Sequence, residues 1–411
     1  MIWTSEPQTA FAWVWLPSQV DPVPAGVLRK SGSEYEFRYG TSYLQRDDAM
    51  SLFPPELPLL RDWQSPRDGL TIPGVLWDAS PDGWGQRIIA DRLGRPGSTH
   101  DELGKITILL ESGSNRIGAL DFQASATEYI PRGESATLDE LHAAAEALQA
   151  GTLNPELRRA LVGGTLVGGA RPKAALVDDN GRQWIAKFSM STDPYPIVRS
   201  EALAMDLARR AGIRVPETRL VRSLGREVLL VERFDRTPDG QRRHIVSGLT
   251  LLGYDTLIGA RYSSYPDMLD VLRQNSVGAD PGRELFERIV FNVAVGNDDD
   301  HARNHSAFWD GLSLELTPAY DISPGNGTSE HQAMDIGRPG ERGSDWRTCL
   351  HAAELYGLGR GEASGIIERI DSVIRDEFDD AADAAELSAG ERKNLWGLQF
   401  LNERVGRIPY P

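Results

Sequence analysis

The sequence predicts an α+β chain, with an α/β N-terminal part, an α-rich C-terminal part and room for a cleft between them. Three observations predict it. The first segment carries short apolar runs, and Tyr35-Glu36-Phe37-Arg38-Tyr39 alternates with the period of a half-buried strand. Residues 160–235 read in order as a Gly-rich loop, strand, turn, strand, helix and strand. From about residue 245 the pattern is mostly helical, with one hairpin near 306–316.

The elements follow in chain order. Ala12-Trp13-Val14-Trp15-Leu16 and Val27-Leu28 read as strands, and Pro54, Pro55 and Pro58 interrupt the chain after Phe53. Ser80-Pro81-Asp82-Gly83-Trp84-Gly85 is a turn-rich lead into a helix near Gln86–Leu93. Ile106–Leu110 and Ala119–Phe122 carry strand signals. Thr137 and Glu140 form a capping box, Leu138, Leu141, Ala145 and Leu148 form the helix stripe, and Gly151 stands where a C-terminal glycine belongs. A soft boundary falls near residue 155. The run Phe378–Leu387, rich in Asp and Ala, reads as a solvated helix or linker.

Composition excludes several classes. The 411 residues, 40% hydrophobic and 25% charged, are ordinary for a globular chain of two to three domains. One Cys excludes a disulfide framework and a Cys-based zinc site. There is no apolar run near the roughly 20 residues of a membrane helix, and no secretory signal, so the expectation is a soluble cytoplasmic protein. The net charge of −16 argues against gripping DNA unaided.

Two constellations carry chemistry. In the first, Val162–Lys173 holds Gly163, Gly164, Gly168 and Gly169. Glycines let backbone amides approach an anion, although a plain flexible loop accounts for them equally well and no Walker pattern follows. Ala174–Val177, the Asn180-Gly181 hairpin signal and Trp184–Phe188 come next, with Lys187 inside the apolar run. A helix over Arg199–Arg210 then carries Glu201 in its first turn. This is the order of a protein-kinase N-lobe, where the strand lysine contacts nucleotide phosphates and the helix glutamate holds it. A snorkelling edge-strand lysine and a dipole-favouring helix charge are the plainer readings of the two residues. Glu227–Asp235 suits either a hinge strand or an ordinary core strand.

In the second, Gly296–Ser306 follows an apolar helix and contains Asp298, Asp299, Asp300, His301, Asn304 and His305. Asp299 to Asn304 has the Asp-x-x-x-x-Asn spacing of kinase catalytic loops. A hairpin follows, with its turn at Asp310-Gly311, and then Asp321. A hairpin brings its feet together, so Asp299, Asn304 and Asp321 can converge. Asn304 and Asp321 suit Mg²⁺, which takes oxygen ligands, and Asp299 would orient or deprotonate an attacking hydroxyl. A solvated acidic loop and a His/Asp metallohydrolase are the competing readings, and the latter lacks a second well-spaced His pair.

These blocks resemble the HipA family of serine/threonine kinases, the toxins of type II toxin–antitoxin modules. The resemblance rests on the Ser80–Gly85 turn, Gly168-Gly169-Ala170-Arg171-Pro172-Lys173, Val231-Glu232-Arg233-Phe234-Asp235-Arg236, Asn297–Ser306 and Pro318-Ala319-Tyr320-Asp321. It implies a two-lobed, protein-kinase-like fold with an ATP cleft between the lobes. The expected divisions are an N-terminal subdomain over 1–155, an N-lobe-like segment over 156–240 and a catalytic C-lobe over 241–411. By this resemblance Gly168, Gly169, Lys187 and Glu201 serve the ATP phosphates, Glu232 and Phe234 line the hinge, Asp299 is catalytic, and Asn304 and Asp321 bind Mg²⁺. The family also implies a small DNA-binding antitoxin, DNA reached only through it, and an aminoacyl-tRNA synthetase as substrate. Its members carry an autophosphorylated Ser in the glycine-rich loop, where this chain has Leu166 beside Thr165. Either Thr165 takes over by a one-residue shift or this chain lacks that switch. A kinase-shaped co-repressor and a small-molecule phosphotransferase remain the alternative functions.

Overall fold

The computed structural model describes residues 7–81, 83–133, 136–154, 156–157, 171–256, 260, 263–278, 280–325 and 329–405. Thr165, Leu166, Gly168 and Gly169 lie outside the described residues. The chain forms two compact units: 1–191 with 221–246 and 308–312, and 192–220 with 247–307 and 313–411. Residues 156–240 contribute to both.

In the first unit, β1 (Thr9–Val14), β2 (Val23–Ser31), β3 (Glu34–Tyr39) and β4 (Leu120–Gln123) form a sheet of order β3-β2-β1-β4. Its pairings are antiparallel. The sequence-predicted strands sit here: Val27-Leu28 and Tyr35–Tyr39 lie within longer strands, while β1 starts and ends earlier than Ala12–Leu16 and β4 is shifted by one residue from Ala119–Phe122. Helix α1 (Gly83–Arg92) starts earlier than expected, and α2 (Lys105–Glu111) replaces the strand expected over Ile106–Leu110. Lys105 through Leu110 are all buried. An apolar run buried on every side has no periodicity to separate strand from helix.

Helix α3 (Leu138–Gln149) has the predicted capping box: the Glu140 amide donates to Thr137 Oγ1 (3.2 Å) and the Thr137 amide to Glu140 Oε2 (2.8 Å). Gly151 follows at φ +71°, where a side chain would be strained. A second sheet has the order β5-β6-β8-β7, from β5 (Lys173–Val177), β6 (Gln183–Phe188), β7 (Thr218–Ser223) and β8 (Arg226–Glu232). Trp184, Ala186 and Phe188 pack with Leu141, Ala144 and Ala145 of α3 and with Trp84 and Ile88 of α1. The β5–β6 connection is longer than the two-residue turn that Asn180-Gly181 suggested. Asp178 organises it, accepting from the Asn180 and Arg182 amides at 2.9 and 3.0 Å and from Trp184 Nε1 at 2.9 Å.

Glu56 gives this unit a pH dependence. Its carboxylate accepts from the Val75 amide at 2.8 Å, yet burial pushes the group up to about 7. The folded state therefore binds the proton more tightly than the unfolded chain. This contribution is complete below the unfolded value near 4.5 and is lost as pH rises through about 7. It amounts to about 3 kcal/mol. Buried His244, lowered to about 4 by burial, has the opposite slope, because its neutral form is favoured as pH rises. Glu56→Gln should thus gain stability relative to wild type between pH 5 and pH 8, read as urea midpoints at both values. Equal differences at the two pH values would contradict the assignment.

In the second unit, helix α4 (Ile197–Arg210) packs on the long helix α7 (Arg360–Ala384). Arg210 pairs with Glu377 at 2.9 Å. Helices α5 (Tyr265–Asn275), α6 (Gly282–Ala294) and α8 (Ala389–Leu395) belong to the same unit. The acidic run after Phe378 is the end of α7, and Phe378, Ala381 and Ala382 are buried while the aspartates stay exposed. It is an amphipathic face rather than a linker. Strands β9 (Ile245–Ser247), β10 (Ser306–Trp309) and β11 (Leu314–Leu316) form a sheet of order β11-β10-β9.

Candidate active site

Helix α6 delivers the acidic loop. It ends at Ala294, and Gly296 turns the chain at φ +65°; a Cβ there would stand 2.7 Å from the Gln399 carbonyl oxygen. Asp300 then turns inward and is buried. Its Oδ2 accepts from Tyr265 Oη (2.6 Å), Asn292 Nδ2 (2.7 Å) and His305 Nε2 (2.9 Å). Asn292 Oδ1 in turn accepts from Asn297 Nδ2 at 3.0 Å. Burial alone would raise the Asp300 carboxyl. The His305 charge and the hydrogen bonds from His305 and Tyr265 outweigh it and hold the group below the usual carboxylate range.

With Asp300 locked inward, its neighbour Asp299 faces solvent. The Asp299 carbonyl accepts from Asn304 Nδ2 at 3.3 Å, which leaves the amide oxygen of Asn304 available as a ligand. Asp298 is half-buried, and burial, with the Asp299 charge adding to it, raises its carboxyl. The three consecutive aspartates thus occupy three environments. Among the described residues no group of three or more His, Cys, Asp or Glu side chains is placed to hold a metal ion.

The hairpin closes as its sequence suggests. The Thr317 amide donates to the Ser306 carbonyl at 3.0 Å, and the two side-chain hydroxyls stand 3.1 Å apart. Beyond the feet, Tyr320 Oη donates to the Arg303 carbonyl at 2.8 Å. Each bonded residue directly precedes a predicted ligand, Asn304 and Asp321. Asp321 is half-buried with φ +59°, a left-handed conformation that Asp tolerates better than bulky residues. One amide and one carboxylate are a fitting protein share for Mg²⁺, whose remaining ligands are waters and phosphate oxygens.

In the first unit, β6 is an interior strand, so the edge-strand reading of Lys187 does not hold. Lys187 is half-buried on the face away from Trp184, Ala186 and Phe188, directly opposite Lys173 in the β5–β6 register. Glu232 and Phe234 are half-buried, while the alternating Arg233 and Asp235 are buried. Arg233 donates to Asp235 at 2.9 and 2.7 Å and to the Arg116 carbonyl at 2.6 Å, and the Gly118 amide donates to Asp235 at 2.7 Å. This buried network fixes the backbone around Glu232 and Phe234, and sequence reading missed it. Charged residues alternating at a strand exit were its signal. Glu201, in the second unit, is buried on α4 and lies beyond its first turn, so it is not a solvated charge serving the helix dipole.

The α+β, kinase-like fold expected from the sequence is borne out, with an acid-rich loop, a hairpin and a following aspartate in the expected order. The HipA-like C-terminal domain model matches residues 165–378 and the HipA N-terminal domain model matches residues 14–123. The chain belongs to the HipA family. It is 28% identical over 185 residues to the serine/threonine-protein kinase toxin HipA of Shewanella oneidensis, covering 38% of this chain and 42% of that protein. It is 26% identical over 266 residues to Y4dM of Sinorhizobium fredii, a protein named as a kinase, with 62% of each covered. The chain thus spans less than two thirds of these relatives' length. Its fold is similar to a solved Shewanella oneidensis complex of HipA, HipB and operator DNA, with a TM-score of 0.65 and 20% identity over 92% of this chain and 93% of that one. Among the described residues no helix is long and apolar enough to cross a membrane.

Proposed function

We propose that the chain is an ATP- and Mg²⁺-dependent kinase that phosphorylates serine or threonine hydroxyls of a protein, and that it acts as a HipA-like toxin. The observation that carries this reading is the Tyr320–Arg303 hydrogen bond at 2.8 Å, which joins the segments bearing Asn304 and Asp321. Asp299 accepts the acceptor hydroxyl's proton as its oxygen bonds to the γ-phosphorus, and ADP leaves. Asn304 and Asp321 hold Mg²⁺, which when bound neutralises charge on the phosphate oxygens. Lys187 and Glu201 are assigned to the nucleotide phosphates, and Glu232 and Phe234 to the adenine. Gly168 and Gly169 cover the phosphates, and Thr165 is the candidate loop phosphorylation site.

The substrate class proposed is a translation component such as an aminoacyl-tRNA synthetase, and the setting is the cytoplasm. The partner is a small DNA-binding antitoxin. A net charge of −16 suits a chain that reaches DNA through a basic partner. The structurally similar HipA stands in a complex with HipB and operator DNA, which supports this assignment. Incubating cell lysate with the protein and γ-labelled ATP, followed by mass spectrometry, tests the reading. Label on Ser or Thr of a discrete protein is expected, whereas label confined to small molecules, or no transfer, would overturn it.

A further inference from the structure

The segment after Asp321 is tied to the acidic loop and, through Tyr195 and Gln399, to residues outside the catalytic motifs. The Gly325 amide donates to the Gly296 carbonyl at 2.8 Å, which links it to the start of the acidic loop. A Cβ on Gly325 would stand 2.5 Å from Asp298 Oδ1 and 3.1 Å from the Gly296 carbonyl oxygen, so a larger residue there would push the Asp298 carboxylate aside. Tyr195 Oη donates to the Pro324 carbonyl at 3.1 Å. The buried side chain of Gln399 donates through Nε2 to the Gly325 carbonyl. The Gln399 backbone packs against Gly296, and the Leu401 amide donates to the Ala294 carbonyl at 2.8 Å.

The same C-terminal stretch also reaches α4. Glu391, which completes a capping box with Ser388 at the start of α8, pairs with Arg199, and Arg199 Nη1 also donates to the Glu386 carbonyl at 2.8 Å. Arg199 lies two residues before Glu201. Residues 386–401 therefore bind, in one stretch, the helix that carries Glu201, the loop that carries Asp299 and the segment that follows Asp321.

We propose that Gln399 is a positioning residue, which holds the Asp321-bearing segment against the acidic loop and thereby sets the metal and phosphate geometry. Tyr195 acts in the same way through the neighbouring Pro324 carbonyl. The proposal rests on the kinase reading for its catalytic consequence but not for its mechanical one. Gln399→Met keeps the volume and removes the donor, so the Gly325 carbonyl loses its side-chain partner.

The test has two arms, both on the full-length chain. Hydrogen exchange of peptides covering 296–300 and 320–325 should quicken about tenfold or more in Gln399→Met, with α7 unchanged. Phosphate transfer should show kcat reduced about 10- to 100-fold, KM for ATP nearly constant, and half-maximal activity at higher Mg²⁺. Tyr195→Phe should shift both readouts the same way by less, and it carries the test if Gln399→Met loses α7 protection. Unchanged exchange would overturn the proposal, and so would faster exchange with wild-type kcat and Mg²⁺ dependence. Failure of the kinase reading shows separately, as absent transfer in the wild type, while the exchange arm still decides the tie.

Discussion

Asp299→Ala is expected to lower phosphate transfer from ATP by about 10³-fold, because a positioned general base contributes about 10² to 10⁴. The same change should leave stability within about 0.5 kcal/mol, since Asp299 faces solvent. Asp321→Asn is expected to match that loss of transfer. Asparagine tolerates the left-handed backbone at φ +59° better than alanine, so the charge is removed without added strain. Turnover by either variant near the wild-type rate, with purified protein and saturating Mg²⁺, would remove that residue from the proposed machinery.

Asp300→Ala should do the reverse in order of severity, acting on the fold first. It strips the acceptor from Tyr265, Asn292 and His305 at once, all within 2.9 Å of Oδ2. Breaking a buried charged hydrogen-bonded group typically costs about 3–5 kcal/mol, because its partners stay buried and unsatisfied. Urea unfolding followed by tryptophan fluorescence should show a matching fall in midpoint. Asp300→Asn keeps an acceptor oxygen and should lose less. A wild-type midpoint for Asp300→Ala would mean that the network is not what holds the loop. Together the variants of residues 299 and 300 separate the reacting carboxylate from its structural neighbour.

The order of strands and helices and the hairpin after the acidic loop were legible because local signals carry them: alternation, the Thr137–Glu140 capping box and the Asp310-Gly311 turn. The offset from Asp299 to Asn304 and the position of Asp321 were legible for the same reason. The run Ile106–Leu110 was not, since complete burial erases the difference between helix and strand. The length of the β5–β6 turn was not either, because Asp178 decides it through three side-chain hydrogen bonds. Spacing singled out Asp299, but sequence did not show that Asp300 is buried and Asp298 half-buried beside it. Three identical residues differ only in what surrounds them, and Tyr265, Asn292 and His305 come from elements scattered along the chain. Gln399 lay further out of reach, being 74 residues from the carbonyl it binds. Glycines 168 and 169 and Thr165 fall outside the described residues, and their roles rest on the family likeness alone.

The most direct measurement of the central claim is a crystal structure of the wild-type chain with Mn²⁺ and a non-hydrolysable ATP analogue, read from the Mn²⁺ anomalous signal. The expected density is an ion bonded to the Asn304 amide oxygen and an Asp321 carboxylate oxygen, with phosphate oxygens completing its shell and Asp299 facing the γ-phosphate. An ion held elsewhere, or one that leaves Asn304 and Asp321 out of its shell, would contradict it.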